Sequence, residues 1–352
     1  MARKNIKNLK FVDLFSGIGG FRLAGESLGM NCVFSCDNDP MASKTYEHNF
    51  GDSPLVDIYD VKTQDIEDFD ILFAGFPCQA FSYSGKCEGF DDKRGVLFYE
   101  VMRFLEGKEP KAFLLENVKG LVSHDRGNTL RVIEDELTMA GYNIHWMVIN
   151  SAEYGLPQNR ERWYCVGFKD DPSFNFPEPI GKTRLIKDIL EKKKHNDLRV
   201  SEKWINRLNH HFNSGESRPQ HHDFDKNSKR GQHGVFSFLK PDNTIRFHMG
   251  DVKKTQIQEG FFTSKNSLAP TVIANRVPRL WDLKRKLSVR ECARLQGFPD
   301  TFEFPVTRNQ AYKQLGNSVS VPVIEMIVRE MLVSLGYVKS RQVTQLRFDL
   351  SA

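Results

Sequence analysis

No run of about 18 apolar residues occurs anywhere in the 352-residue sequence, which argues against a membrane-spanning helix. The first ten residues, Met1 to Lys10, are polar and basic and lack an apolar core, so a secretory leader is not expected. Cysteine is sparse: Cys32, Cys36, Cys78, Cys87, Cys165 and Cys292 include no C-x-x-C pair. That spacing disfavours zinc or redox use, and a chain this long does not need a disulfide framework. Reduced thiols in a cytoplasmic setting are the expectation. The histidines lack metal-ligand spacing, and no metal is expected.

What is present is enough apolar sequence, 39%, to build a sizeable core, with 27% charged residues to keep it in water. The length points to one large domain and a smaller one. Charge is distributed unevenly. Residues 1–180 hold 19 Lys and Arg against 28 Asp and Glu, whereas residues 181–280 hold 20 against 10 and residues 281–352 hold 11 against 7. Seven of the ten histidines also fall in 181–280. A basic block behind an acidic one suggests contact with a polyanion; on charge alone, a solvated, loop-rich insertion explains it equally well.

Apolar runs at 10–15, 31–36, 70–74, 111–115, 142–149 and 163–168 read as buried strands. Helical spacing falls between most of them, at 21–28, 40–48, 96–105 and 129–139. Pro40 suits the first turn of its helix. The alternation predicts an α/β class with a doubly wound sheet. The rhythm stops at prolines 172, 177 and 179, and residues 181–280 show no sustained pattern, which reads as a smaller, irregular domain. Order returns in an amphipathic helix near 287–295, capped by Ser288, and in a last helix near 321–335. The predicted division is therefore 1–180, an inserted unit 181–280, and a return to the first domain over 281–352.

Several constellations fall at predicted strand ends, where open α/β sheets collect ligands. The Gly17-x-Gly19-Gly20 turn lets backbone approach a ligand and opens a helix N-terminus, while Asp37 ends the second strand, the usual place for a ribose-binding carboxylate. An adenosine-containing cofactor follows. Because Arg22 breaks the G-x-G-x-x-G spacing, S-adenosylmethionine is favoured over NAD. Asp57-Ile58, at the expected end of a third strand, suits the adenine or is a surface carboxylate. Cys78, on a Gly-Pro turn after strand 70–74, is a nucleophile or a small core residue. Glu116 is a general acid, a helix cap or a salt-bridge partner. Arg160 and Arg162 aim at phosphate or developing charge, or belong to a solvated turn.

Taken in order, the segments DLFSGIGG (Asp13 to Gly20), GFPCQAFS (Gly75 to Ser82), Glu116-Asn117-Val118, QNRER (Gln158 to Arg162), RECARLQGFP (Arg290 to Pro299) and GNSV (Gly316 to Val319) resemble the ordered motif set of DNA (cytosine-5) methyltransferases. The resemblance covers about residues 10–170 and 286–325. It implies a Rossmann-like methyltransferase domain with a target-recognition domain at 181–280. It makes Cys78 the nucleophile toward cytosine C6, Glu116 the group that holds and protonates N3, and Arg160 and Arg162 the residues that position the base and Cys78. Phe15, Gly17, Ile18, Gly19, Gly20, Asp37, Asn38, Asp57, Ile58, Phe76, Pro77, Asn317 and Val319 would hold S-adenosylmethionine and release S-adenosylhomocysteine. In many relatives an aromatic side chain follows the ribose-binding acid, and Asn38 stands there instead. Gln79, Ser82, Ser84, Lys86, Arg94 and Gln158 would contact double-stranded DNA. The glycine-rich stretch 82–90 suggests a flap closing over a base swung out of the duplex.

Physical chemistry agrees with those roles. Cytosine C6 is a poor electrophile, so attack needs a thiolate together with proton donation at N3. The related tRNA enzymes carry a Cys-Phe-Thr tripeptide that is absent from 181–280. A non-catalytic DNA-binding relative would have lost Cys78 or Glu116, and an NAD oxidoreductase would need the other glycine spacing. The expectation is a monomeric modification enzyme of bacterial restriction-modification type, acting in the cytoplasm beside a cognate endonuclease.

Overall fold

The computed structural model describes residues 5–77, 97–213, 220–225, 233–251, 258–274 and 276–339. Strand β1 (Lys10–Leu14) leads into helix α1 (Gly20–Ser27), followed by β2 (Asn31–Cys36) and α2 (Pro40–Phe50). Next come β3 (Ile71–Ala74), α3 (Leu97–Lys108), β4 (Ala112–Val118), α4 (Asn128–Met139), β5 (Asn143–Asn150), β6 (Gln158–Asn159) and β7 (Glu161–Phe168). Six of these strands form one sheet in the order β2-β1-β3-β4-β7-β5. The first four are parallel, and β7 runs antiparallel to both of its neighbours.

The period-two alternation of these strands fills two cores, one on each face. Phe11, Ile71, Phe73, Leu114 and Val166 pack on one side, and Val12, Leu72, Phe113, Leu115 and Cys165 on the other. Helices α3 and α4 cover the second face through Phe98, Val101, Leu130 and Ile133. Each such side chain removed from water contributes about 1.5–3 kcal/mol, so the sheet holds the ends of its strands firmly. At α2, Asp39 accepts the N–H groups of Met41 and Ala42, Pro40 occupies the first turn, and Gly51 ends the helix in the left-handed region.

The inserted region is more regular than its sequence suggests. Helix α5 (Glu202–Asn213) is followed by β8 (Gln220–Asp225), β9 (His233–Leu239), β10 (Ile245–Asp251) and β11 (Gln258–Phe262), a four-stranded antiparallel sheet. A small third core of Val200, Ile205, Leu208, Ile245, Phe247 and Phe262, flanked by Trp204 and Trp281, joins helix to sheet. The chain entering this region is hydrogen-bonded to the chain leaving it: the Ile186 N–H donates to Ser267 O at 3.1 Å and the Lys187 N–H to Lys265 O at 2.8 Å.

Beyond it, β12 (Ala269–Pro270) pairs with β6, and β13 (Arg279–Leu280) with β14 (Arg285–Lys286). Helices α6 (Val289–Gln296), α7 (Arg308–Asn317) and α8 (Val321–Ser334) return to the first face of the large sheet, where their apolar residues join the core of β1 and β3. Ser288 caps α6 as the sequence indicates, in a capping box with Glu291. Glu291 is fully buried and chelates Arg285 through two 2.7 Å bonds. The sequence pattern missed α7. It also placed Asp57 at a strand end, whereas Asp57 caps a short 3-10 turn, Ile58–Asp60. A single bridge between Asp37 and Leu55 is all the pairing the chain makes just before it. No helix among the described residues is long and apolar enough to cross a membrane.

Candidate active site

Strand β4 carries Glu116 on a buried stretch, and antiparallel pairing with β7 sets Glu116 opposite Tyr164 and Val118 opposite Arg162. The Arg162 Nε lies 3.2 Å from Glu116 Oε1. Burial raises the Glu116 pKa above the ordinary carboxylate value, and the nearby Arg162 and Arg160 charges oppose that rise. A Cβ built on Gly75 would stand 4.0 Å from Glu116 Oε2, so the main chain leaving β3 runs alongside the carboxyl group. The Asn117 side chain secures that path by donating to Phe76 O at 3.3 Å. Cys78 lies three residues beyond Gly75, outside the described residues, as do Gln79, Ser82, Ser84, Lys86, Arg94 and the expected flap.

The two arginines differ in what they touch. Arg160 is buried, and its guanidinium donates to Val272 O at 3.1 Å, Gly316 O at 3.5 Å and Ser318 O. Burial, then the Arg162 charge, lowers its pKa to about 9, which leaves it a cation at neutral pH. Arg160 therefore binds backbone of the returning chain, and Arg162 is the arginine at the carboxyl group. Gln158, expected at the DNA, is fully buried: its amide donates to Leu295 O and Gln296 Oε1 and accepts from the Val272 N–H at 2.8 Å. With its polar atoms consumed inside the protein, it is a clasp between segments and is not exposed to DNA.

On the other side of β1, a cleft of about 450 Å³ is bounded by Phe15, Asp37, Asn38, Asp57, Ile58 and Pro77, all expected at the cofactor. Cys36, Val56, Tyr59 and Leu97 complete its wall and were not expected. Asp37 accepts the Gly17 N–H at 2.8 Å and the Asp39 N–H at 2.8 Å. Burial raises its pKa, and those two N–H groups pull it back down. Asn38 reaches across to Asp57 at 3.3 Å. Phe15 adopts φ +57°, a left-handed backbone that costs a non-glycine residue about 1–3 kcal/mol. Ile18, Gly19, Gly20, Phe76 and Val319 do not line the cleft; Ile18 and Phe76 are core residues, and Gly20 packs on Val319. Asn317 is exposed at the end of α7. The missed Tyr59 is half exposed, on a turn whose carbonyls at Ile58 and Val61 are gripped by Arg103. An aromatic residue directly after Asp57-Ile58 was the available signal.

A second, larger cleft, about 740 Å³, opens between the ends of β4 and β7 and the small sheet. Lys119 and Arg162 line one wall, Asn243, Arg246 and Phe261 the other, and Arg276 joins them. Arg162, the ion-pair partner of Glu116, thus reaches this cleft, and Glu161 and Asp242 stand among its basic side chains.

Comparison with known proteins agrees with this layout. The family model described as C-5 cytosine-specific DNA methylase matches residues 9–333. The type II methyltransferase M.HaeII of Haemophilus aegyptius is 41% identical over 330 residues, covering 94% of this chain and 95% of that protein. The type II methyltransferase M.HhaI of Haemophilus parahaemolyticus is 38% identical over 342 residues, covering 95% and 97%. Among solved structures, the S. pombe Dnmt2 methyltransferase shares the fold at a TM-score of 0.65 and 20% identity, covering 93% of this chain and 98% of that one.

Proposed function

The chain belongs to the C-5 cytosine-specific DNA methylase family and is a DNA (cytosine-5) methyltransferase, and from that premise we propose that it works by covalent attack of Cys78 on a cytosine turned out of the duplex. The observation that carries this reading is Glu116: a buried carboxyl group with raised pKa, held by Arg162 beside the main chain that leads to Cys78. A carboxyl group able to give a proton to N3 is what attack at C6 requires, and burial shifts Glu116 toward its protonated form.

The Cys78 thiolate forms a bond to C6 while Glu116 gives its proton to N3, and the electron pair of the C5–C6 double bond becomes available at C5. S-adenosylmethionine, when bound, supplies an electrophilic methyl group at that carbon. Solvent water then takes the C5 proton, the double bond re-forms as the sulfur leaves C6 as thiolate, and N3 returns its proton to Glu116. Arg162 holds the Glu116 carboxyl group in place, and Arg160 acts through the backbone it binds. Phe15, Ile58, Tyr59 and Pro77 give the cofactor cleft an apolar wall suited to the adenine, while Asp37 and Asp57 offer carboxylates to the ribose and the amine.

In this reading residues 181–280 choose the DNA sequence, with Lys and Arg on phosphates and a few side chains on base edges, while 1–180 and 281–352 form the catalytic unit. The same reading makes the protein a cytoplasmic monomer that works beside a restriction endonuclease, the last in keeping with relatives named as type II methyltransferases. The test is a duplex carrying 5-fluorocytosine, whose C5 has no proton to lose. Incubated with S-adenosylmethionine, the protein should become irreversibly joined to DNA through the peptide containing Cys78. Methylation of ordinary DNA without any trapped adduct would overturn the covalent mechanism.

A further inference from the structure

Behind the large cleft lies a second basic groove, about 380 Å³, that the methyl-transfer reading does not use. Arg276, Arg279, Lys286 and Lys313 line it together with Asn309 on α7, and no acidic residue does. Arg276 belongs to both recesses, so the basic surface continues from the large cleft into the groove. Among the described residues, Lys313 has a carboxylate partner, Asp39 at 2.8 Å, whereas Arg276, Arg279 and Lys286 have none. Both guanidinium groups are held against aromatic rings: Arg276 lies 4.9 Å from the Phe261 ring centre and Arg279 5.5 Å from that of Trp204. Burial and the Arg276 charge depress the Arg279 pKa. Like charges gathered without counter-charges are unfavourable in the free protein, and a polyanion relieves that repulsion.

We propose that the groove is a phosphate track, carrying the backbone of duplex DNA that flanks the modified site as it leaves the large cleft over α7. The proposal rests on the reading that DNA lies in that cleft. The track contributes affinity independent of sequence, because its side chains meet phosphates and reach no base edge. Its continuity with the cleft favours DNA already bound there over any separate anion.

The experiment measures binding against salt concentration for two duplexes, one long enough only to fill the cleft and one extending well beyond it. Lys286 and Asn309 are exposed, so Lys286→Ala and Asn309→Glu leave the fold intact, which a melting curve checks. With the long duplex, Lys286→Ala should lower the slope of log K on log salt by about 0.9 for the lost phosphate contact, and Asn309→Glu should weaken binding. With the short duplex both variants should match the parent. Unchanged slopes on the long duplex, or equal losses on both, would overturn the track. A parent protein that binds neither duplex would instead overturn the placement of DNA in the cleft.

Discussion

Arg162 Nε and Glu116 Oε1 stand 3.2 Å apart on paired strands, and each side chain is almost wholly withdrawn from water. The pair holds opposing tendencies in balance. Burial favours the neutral acid, and the guanidinium favours the carboxylate.

Glu116→Gln should reduce turnover by about 10²–10⁴-fold, since the amide fills the same space but cannot deliver a proton. Stability should move the other way. A carboxyl group whose folded pKa is raised binds its proton more tightly in the native state, so stability falls as pH rises from the ordinary carboxylate value through the raised one. Melting temperatures followed from acid to neutral pH should decline less in Glu116→Gln than in the parent. Parallel curves would show that folding leaves the Glu116 pKa unshifted.

Arginine replacements should separate the two positions. Arg160→Lys removes a fork that binds three carbonyls and should cost about 3 kcal/mol or more, read as a lower urea midpoint. Arg162→Lys should leave that midpoint nearly unchanged while lowering kcat, because the carboxyl group loses its fixed partner.

Phe15 contributes a ring to the cofactor cleft at the expense of its backbone. Phe15→Ala and Phe15→Gly both delete the ring, and both should weaken S-adenosylmethionine binding in calorimetry by about tenfold or more. The glycine variant should nonetheless melt higher than the alanine variant, by a difference of about 1 kcal/mol, since only alanine retains the left-handed strain.

Gly316→Ala should be severe. Its Cβ would fall 2.2 Å from Ala274 N and 2.3 Å from Ile273 C, both backbone atoms that cannot rotate aside. The chain at 272–274 would lift from α7, and Arg160 would lose its Val272 acceptor with it. A loss of about 3 kcal/mol or more in unfolding free energy is expected, together with reduced activity.

The large sheet was legible because its central strands are buried on both faces and largely apolar, as in Ile71 to Ala74. The small sheet was not: its strands mix polar residues with apolar ones, as in Gln220 to Asp225, and its apolar core needs α5 and Trp281 from distant parts of the chain. Glu116 was found by its place after an apolar run. Arg160 and Arg162, two residues apart, look alike in sequence, and only contacts more than a hundred residues away distinguish them. The same holds for Gln158, whose polar side chain reads as surface until Leu295 and Val272 are folded onto it. Asp57 was read at the right place in the cleft but on the wrong element.

The hydrogen bonds from Ile186 and Lys187 to Ser267 and Lys265 close the inserted region at its base. What lies between them is, to the catalytic domain, a loop with fixed ends. Doubling the length of such a loop costs only about 0.6 kcal/mol in closure entropy. Sequences of different size and surface can therefore be exchanged above the neck at little cost to the fold below it.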